Sequence, residues 1–186
     1  MGNAGSCPGH SPRGCSMTIE LCTLGIDPGT ARLGYGVIRG ADPAKSLEFG
    51  IVETTSTEVM PHRLLRLHDE LQSIIREYRP NVMVIEKLFF SRNVTNAISV
   101  GQARGVAMLT AAQAGIAVVE YTPAEVKQAV TGYGNASKEQ IQEMVRLILG
   151  LPELPEPDDA ADALAVAICH VQHAGFASAI EGHDPG

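Results

Sequence analysis

Four acidic residues stand where a folded chain could bring them to one edge of a sheet. Asp27 and Glu86 each end an apolar stretch, and Asp159 and Asp162 lie three apart in an alanine-rich run. Hard oxygen ligands without clustered cysteines select Mg²⁺ or Mn²⁺, and several carboxylates can hold two such ions ~4 Å apart across a phosphodiester. The chemistry expected of the set is hydrolysis of a nucleic-acid backbone, with two ions in the active site. Each acid also has a plainer reading. Asp27 precedes Pro28 and Gly29 and so is a good turn former, while acids at the start of a helix favour the positive end of its dipole. Glu86 is harder to dismiss, because Val82, Met83, Val84 and Ile85 form a buried run and a charge at its end is costly unless paired or coordinated. Asp158 reads as the N-cap of the late helix, yet Asp158 with Asp162, four apart, shares a helix face as well as Asp159 with Asp162 does. Spacing alone leaves that choice open. His170 and His173 are also spaced for a metal, but such pairs are far more often surface or packing residues.

The elements that must position these acids follow from apolar periodicity. Glu20 to Asp27, Arg32 to Ile38 and Leu47 to Thr54 read as three strands separated by Gly and Pro turns, an antiparallel meander. Leu64, Leu67, Leu71, Ile74, Ile75 and Tyr78 recur at helical spacing, and Pro80 follows the helix end. A strand at Val82 to Glu86, a helix at Thr95 to Ala114, a strand at Ile116 to Tyr121 and a helix from Pro123 then alternate, as parallel crossovers do. Ser137 and Gln140 form a capping-box pattern ahead of a helix that Gly150 and Pro152 stop. A last helix spans Asp158 to about His173. The chain is therefore expected to be α/β, with a mixed five-stranded sheet of three antiparallel and then parallel strands, flanked by helices. Its 186 residues fit a single domain at 17–174, after a disordered extension at 1–16 and before a flexible tail at 175–186. Met17 is an alternative start.

Composition narrows the function. An aromatic content of 4% without tryptophan argues against a stacking-rich RNA-binding surface. The net charge of −7 runs against unaided binding of nucleic acid, but five acids fall within residues 153–162, whereas residues 87–146 carry six bases and four acids. Concentrated acids that bind cations stop repelling phosphate. The cysteines form no Cys-x-x-Cys pair, and no stretch reaches the ~18 apolar residues of a membrane span, so a reduced, cytoplasmic setting without membrane contact is expected. Neither a Ser-His-Asp order nor a Walker-type phosphate loop competes.

Five segments in order carry a family resemblance: Gly25-Ile26-Asp27-Pro28-Gly29, Gly34-Tyr35-Gly36-Val37-Ile38, Ile85-Glu86 with Phe89 beyond it, Gly101 to Ala107, and Asp159 to Ala165. They resemble the RuvC family of Holliday-junction resolvases, of ribonuclease-H-like fold. The resemblance implies catalytic and metal-holding roles for Asp27, Glu86, Asp159 and Asp162, and its register favours Asp159 over Asp158. It implies a homodimer that nicks opposite strands of four-way junction DNA in recombination and repair, and hand-over from the branch-migration proteins RuvA and RuvB. It places Phe89, with Phe90 beside it, as a wedge against unstacked bases, in the polar company of Arg92 and Asn93. Arg92, Lys127 and Lys138 fall where the family contacts phosphates, and Arg104 serves DNA, the fold or the dimer. The dimer interface is expected on the helix from Thr95 to Ala114, whose small residues permit close approach.

Rival readings are a related nuclease acting on ribosomal RNA precursors, which shares the Asp-x-Gly-Thr turn, an ATP-binding kinase or actin-like ATPase, and a non-catalytic junction-binding subunit. The segment Gly101 to Ala107 and the Phe89 loop favour the resolvase over the first. The chain is too short for the two-domain cleft of the second. The intact set of four acids disfavours the third.

Overall fold

The computed structural model describes residues 20–41, 43–87 and 94–181, and the side chains among these except at 94–96 and 176–181. The expected N-terminal extension lies outside the described residues.

Strands β1 (Cys22–Asp27), β2 (Arg32–Arg39) and β3 (Lys45–Glu53) form the expected antiparallel meander. Helix α1 (Met60–Tyr78) returns the chain to β4 (Val82–Glu86), and α2 (Val94–Gln113) leads to β5 (Ala117–Tyr121). Both β4 and β5 are parallel to β1, and the sheet order is β3-β2-β1-β4-β5. Helices α3 (Pro123–Thr131), α4 (Lys138–Leu149) and α5 (Asp158–Glu181) complete the chain.

Alternation along the strands divides the core into two layers. Leu24, Ile26, Met83 and Ile85 pack with α1 and with Ala103, Ala107 and Ala111 of α2. Val82 and Val84 pack on the other face with α3, α4 and α5. Apolar neighbours on both faces explain why β4 is a continuous hydrophobic run. The same alternation carries Asp27, in step with Thr23 and Gly25, and Glu86, in step with Val82 and Val84, to the α5 face. Ile26 stands opposite Ile85 in the parallel pair, so these two acids follow at adjacent strand ends.

Helix α5 reaches the sheet closely because the strands offer glycine where it lands. A Cβ at Gly25 would collide with the Ala163 carbonyl oxygen, and one at Gly34 with that of Asp159. Gly34 is paired with Asp27 in the β1–β2 register, so the start of α5 is seated beside the Asp27 strand end.

Three details differ from the periodicity. α1 begins at Met60 rather than near Leu64, with proline in its first turn. α5 continues to Glu181 past His173, since a lone Gly175 is tolerated among alanines of high helix propensity. Asp158 is not the N-cap but the first helical residue: the Pro157 carbonyl accepts from the Ala160 and Ala161 N–H groups and holds the cap position. The Ser137–Gln140 capping box is present, joined by a second at Thr122 and Glu125 that the sequence reading passed over. Among the described residues no helix is long and apolar enough to cross a membrane, and Cys22 and Cys169 are buried free thiols.

Candidate metal centre

Asp27 from β1, Glu86 from β4 and Asp162 from α5 line one cavity of about 240 Å³, together with Lys127 of α3 and Lys138 of α4. Val126, Ile141 and Val166 supply apolar wall, so the charges sit against a poorly polarisable surface that strengthens their interaction. Asp159 does not line the cavity, but its charge acts on Asp27 and Asp162.

The carboxylates are electrostatically uncomfortable. Burial pushes Asp27 up to about 7, and the charges of Asp162, Asp159 and Glu86 add to it, with Lys138 pulling back. Glu86 is raised by burial and then by Asp162, against Lys127. Asp162 is raised by burial, with Lys138 opposing and the neighbouring acids reinforcing. Such mutual repulsion in a half-enclosed cavity is relieved by a cation.

Lys138 already stands in for part of one. Its Nζ lies 3.1 Å from Asp158 Oδ2 and 3.3 Å from Asp162 Oδ2. Burial works against the ammonium, but hydrogen bonds to both aspartates and their charges outweigh it and hold it above its ordinary value. The Asp158 carboxylate also accepts from Gln142 Nε2 at 2.7 Å, so it is turned towards α4. As the side chains stand, no three acidic, histidine or cysteine groups among the described residues surround a single point. Lys138 is bound to the Asp162 carboxylate, one of the groups that would hold an ion. The donor set itself, carboxylate oxygens without thiolate or imidazole, fits a hard divalent cation.

Two further groups steady the strand ends. Thr30, in the turn after Asp27, is hydrogen-bonded to Ser99 of α2. Arg104 of α2 is mostly buried, ion-paired with Glu120 of β5, and donates from Nη1 to the Glu86 carbonyl oxygen at 2.6 Å. Of the roles the sequence left open for Arg104, this placement is that of support for the fold. Lys127 and Lys138, expected at phosphates, lie in the same cavity as the acids. Phe89, Phe90, Arg92 and Asn93 lie outside the described residues. His170 hydrogen-bonds Tyr121 and His173 bonds the Cys169 carbonyl, both as packing groups. Along α2, Ala103, Ala107 and Ala111 face the core, while Gly105 and Ala112 are exposed on the side that carries the exposed apolar Ile98, Met108 and Leu109.

A mixed sheet of this order, with carboxylates at the ends of its two adjacent central strands and on a helix laid across them, defines a ribonuclease-H-like nuclease. Comparison with known proteins narrows the class. The family model described as "Crossover junction endodeoxyribonuclease RuvC" matches residues 23–170. A protein of that name from Thermomicrobium roseum is 57% identical over 150 residues, covering 81% of this chain and 92% of its own length. One from Desulfitobacterium hafniense is 52% identical over 163 residues, covering 87% of this chain and 99% of its own. The solved structure of Thermus thermophilus RuvC in complex with a Holliday junction substrate is 39% identical, with a TM-score of 0.81, and the match covers 85% of this chain and 97% of that one. The chain belongs to the RuvC family.

Proposed function

We infer that this chain is a Holliday-junction resolvase, an endodeoxyribonuclease of recombination and repair that hydrolyses phosphodiesters at four-way junctions. The observation that carries the mechanism is the cavity in which Asp27, Glu86 and Asp162 from three separate elements meet Lys127 and Lys138. Asp27, Glu86 and Asp162, with Asp159 beside them, would hold Mg²⁺ or Mn²⁺, two ions per site. Bound there, the ions supply an activated water and charge stabilisation of the leaving 3′ oxygen. Lys127 and Lys138 bring positive charge to the backbone phosphate and orient it over the acids. Arg92 and Asn93 extend this contact along the strand, and Phe89, with Phe90, serves as the wedge that unstacks bases at the crossover.

Paired nicks require two sites related by symmetry, so the active species is a homodimer. We place its interface on α2, where Ile98, Met108 and Leu109 are exposed apolar side chains on one helix beside the small residues Gly105 and Ala112. The reading includes a cytoplasmic location, delivery of the junction by RuvA and RuvB, and residues 17–174 as the working nuclease domain after a disordered extension at 1–16, with 175–181 continuing α5 beyond it.

Cleavage of a synthetic four-way junction beside a linear duplex, in Mg²⁺, Mn²⁺ or EDTA, tests the reading. Wild type should nick the junction in opposite strands and need either metal. Glu86→Gln should bind the junction within about twofold of wild type and retain less than about a hundredth of the rate, because the amide keeps shape but loses charge. Retention of more than about a tenth removes Glu86 from the centre.

A further inference from the structure

We propose that Arg104, paired with Glu120, is a positioning residue that sets the Glu86 carboxylate from behind the sheet by holding the Glu86 main chain. The inference rests on the reading of Glu86 as a metal ligand, and adds a residue that never enters the cavity.

The strand pattern separates the two faces. Glu86 is in step with Val82 and Val84, which pack on the α5 side, whereas Glu120 is in step with Val118, which packs on the α1–α2 side. Arg104 belongs to α2 and approaches from that second face. It does not line the cavity, and its charge is taken up by Glu120 rather than by any acid of the centre. What it offers Glu86 is a hydrogen bond to the backbone oxygen, at 2.6 Å.

The position of that bond matters. Lys87 N–H bonds the Tyr121 carbonyl at the end of the β4–β5 ladder. Strand backbone groups alternate sides, so the Glu86 carbonyl faces β1 instead, where the residue after Asp27 is Pro28, which has no N–H to give. The strand carrying Glu86 therefore loses its regular partner at the residue whose side chain must be placed, and the Arg104 guanidinium completes it. Ser99, on the same helix, bonds Thr30 in the turn that follows Asp27. One helix thus tethers both strand ends that carry cavity carboxylates. Burying a charged pair is a poor way to gain stability, since desolvation offsets the attraction, so its presence at this point is better explained by geometry than by stability. Small displacements of a reacting constellation are costly: about 1 Å can lose roughly a hundredfold in rate.

The test uses the full chain and two readouts, Mn²⁺ binding without DNA, followed by the EPR signal of the free ion, and junction cleavage with affinity measured separately in EDTA. Arg104→Met should weaken Mn²⁺ binding about five- to twentyfold and lower kcat about ten- to a hundredfold, with junction affinity unchanged within about twofold. Arg104→Lys, which keeps one donor, should recover part of both. In a Glu86→Gln background, Arg104→Met should weaken Mn²⁺ binding no further, because the two act through one carboxylate. Loss of junction affinity with Mn²⁺ binding intact would make Arg104 a DNA contact, and additive losses would make it a general structural residue; either overturns the proposal. Should Arg104→Met not fold, Glu120→Gln decides by the same measure: weaker Mn²⁺ binding supports the inference and unchanged binding ends it. If Glu86→Gln itself leaves Mn²⁺ binding intact, the metal-site reading fails and this inference with it.

Discussion

In the absence of a divalent cation, Asp27→Asn is expected to stabilise the protein, and to do so only as the pH approaches and passes neutrality. The Asp27 carboxyl stands at about 7 against an ordinary 3.8, through burial first and then the charges of Asp162, Asp159 and Glu86. In the unfolded chain it titrates near its ordinary value. Between about pH 4 and pH 7 the native state therefore binds more protons than the unfolded one, and stability falls as pH rises through that window. Above the folded value the loss is complete. At ~1.4 kcal/mol per unit, discounted for the part of the site that water reaches, the penalty is on the order of 2–4 kcal/mol. Asparagine never ionises and escapes it. Thermal unfolding in EDTA should show Tm values close together at pH 4, with Asp27→Asn higher by roughly 5–15 °C at pH 8. Adding Mn²⁺ at pH 8 to about a thousandfold its Kd should close or reverse the gap, since that adds about 4.1 kcal/mol to whichever protein binds it. A mutant less stable than wild type at pH 8 in EDTA would refute the reasoning. So would an equal response of both proteins to Mn²⁺, because the carboxylate would then be satisfied by the protein itself.

Three further outcomes follow. Asp162→Asn should cost more than about a hundredfold in cleavage rate, whereas Asp158→Ala, which frees Lys138 and Gln142 without removing a proposed ligand, should cost only a few-fold and leave thermal unfolding nearly unchanged; rates in the opposite order would show that the ligand is Asp158. Leu109→Glu should give a monomer by light scattering at micromolar concentration and abolish paired nicking, and an active dimer would move the interface away from α2. Phe89→Ala should slow cleavage of a fully paired junction about ten- to a hundredfold and be rescued by a junction mismatched at its centre, given ~1–3 kcal/mol per stacked base; absence of rescue removes the wedge.

The sheet was legible because each strand is bounded by residues with a fixed backbone meaning, and because β4 is buried on both faces and so reads as an uninterrupted apolar run. Helix ends were less so. Val59 precedes α1 without any side-chain hydrogen bond to mark the start, and nothing in Phe176 to Glu181 beyond moderate propensity distinguishes helix from tail. Propensity decides little there, and contact with the rest of the fold decides more.

At the centre, Glu86 stood out in the sequence because a charge ending a buried strand is costly, whereas Asp27 before Pro-Gly was equally a turn former until the pairing of β1 with β4 set the two strand ends side by side. Asp158 and Asp159 could not be separated by spacing, which describes a helix face but not where the helix begins. The structure starts α5 at Asp158 and draws that carboxylate off to Lys138 and Gln142 on α4. Arg104 was left between DNA, fold and dimer for a different reason: its partners, Glu120 and the Glu86 carbonyl, are defined only once β4 and β5 lie side by side. The glycines are the most instructive case. Gly25 and Gly34 weaken the strands that contain them, and the apolar pattern gives no reason for their presence there. In the fold they are where the α5 backbone comes down, against the Ala163 and Asp159 carbonyl oxygens, and a side chain at either would lift the helix and carry its acids away from Asp27. The proximity of acids from elements far apart in the chain thus depends on what two residues lack, a signal visible only when the surface they leave open is matched to the helix that occupies it.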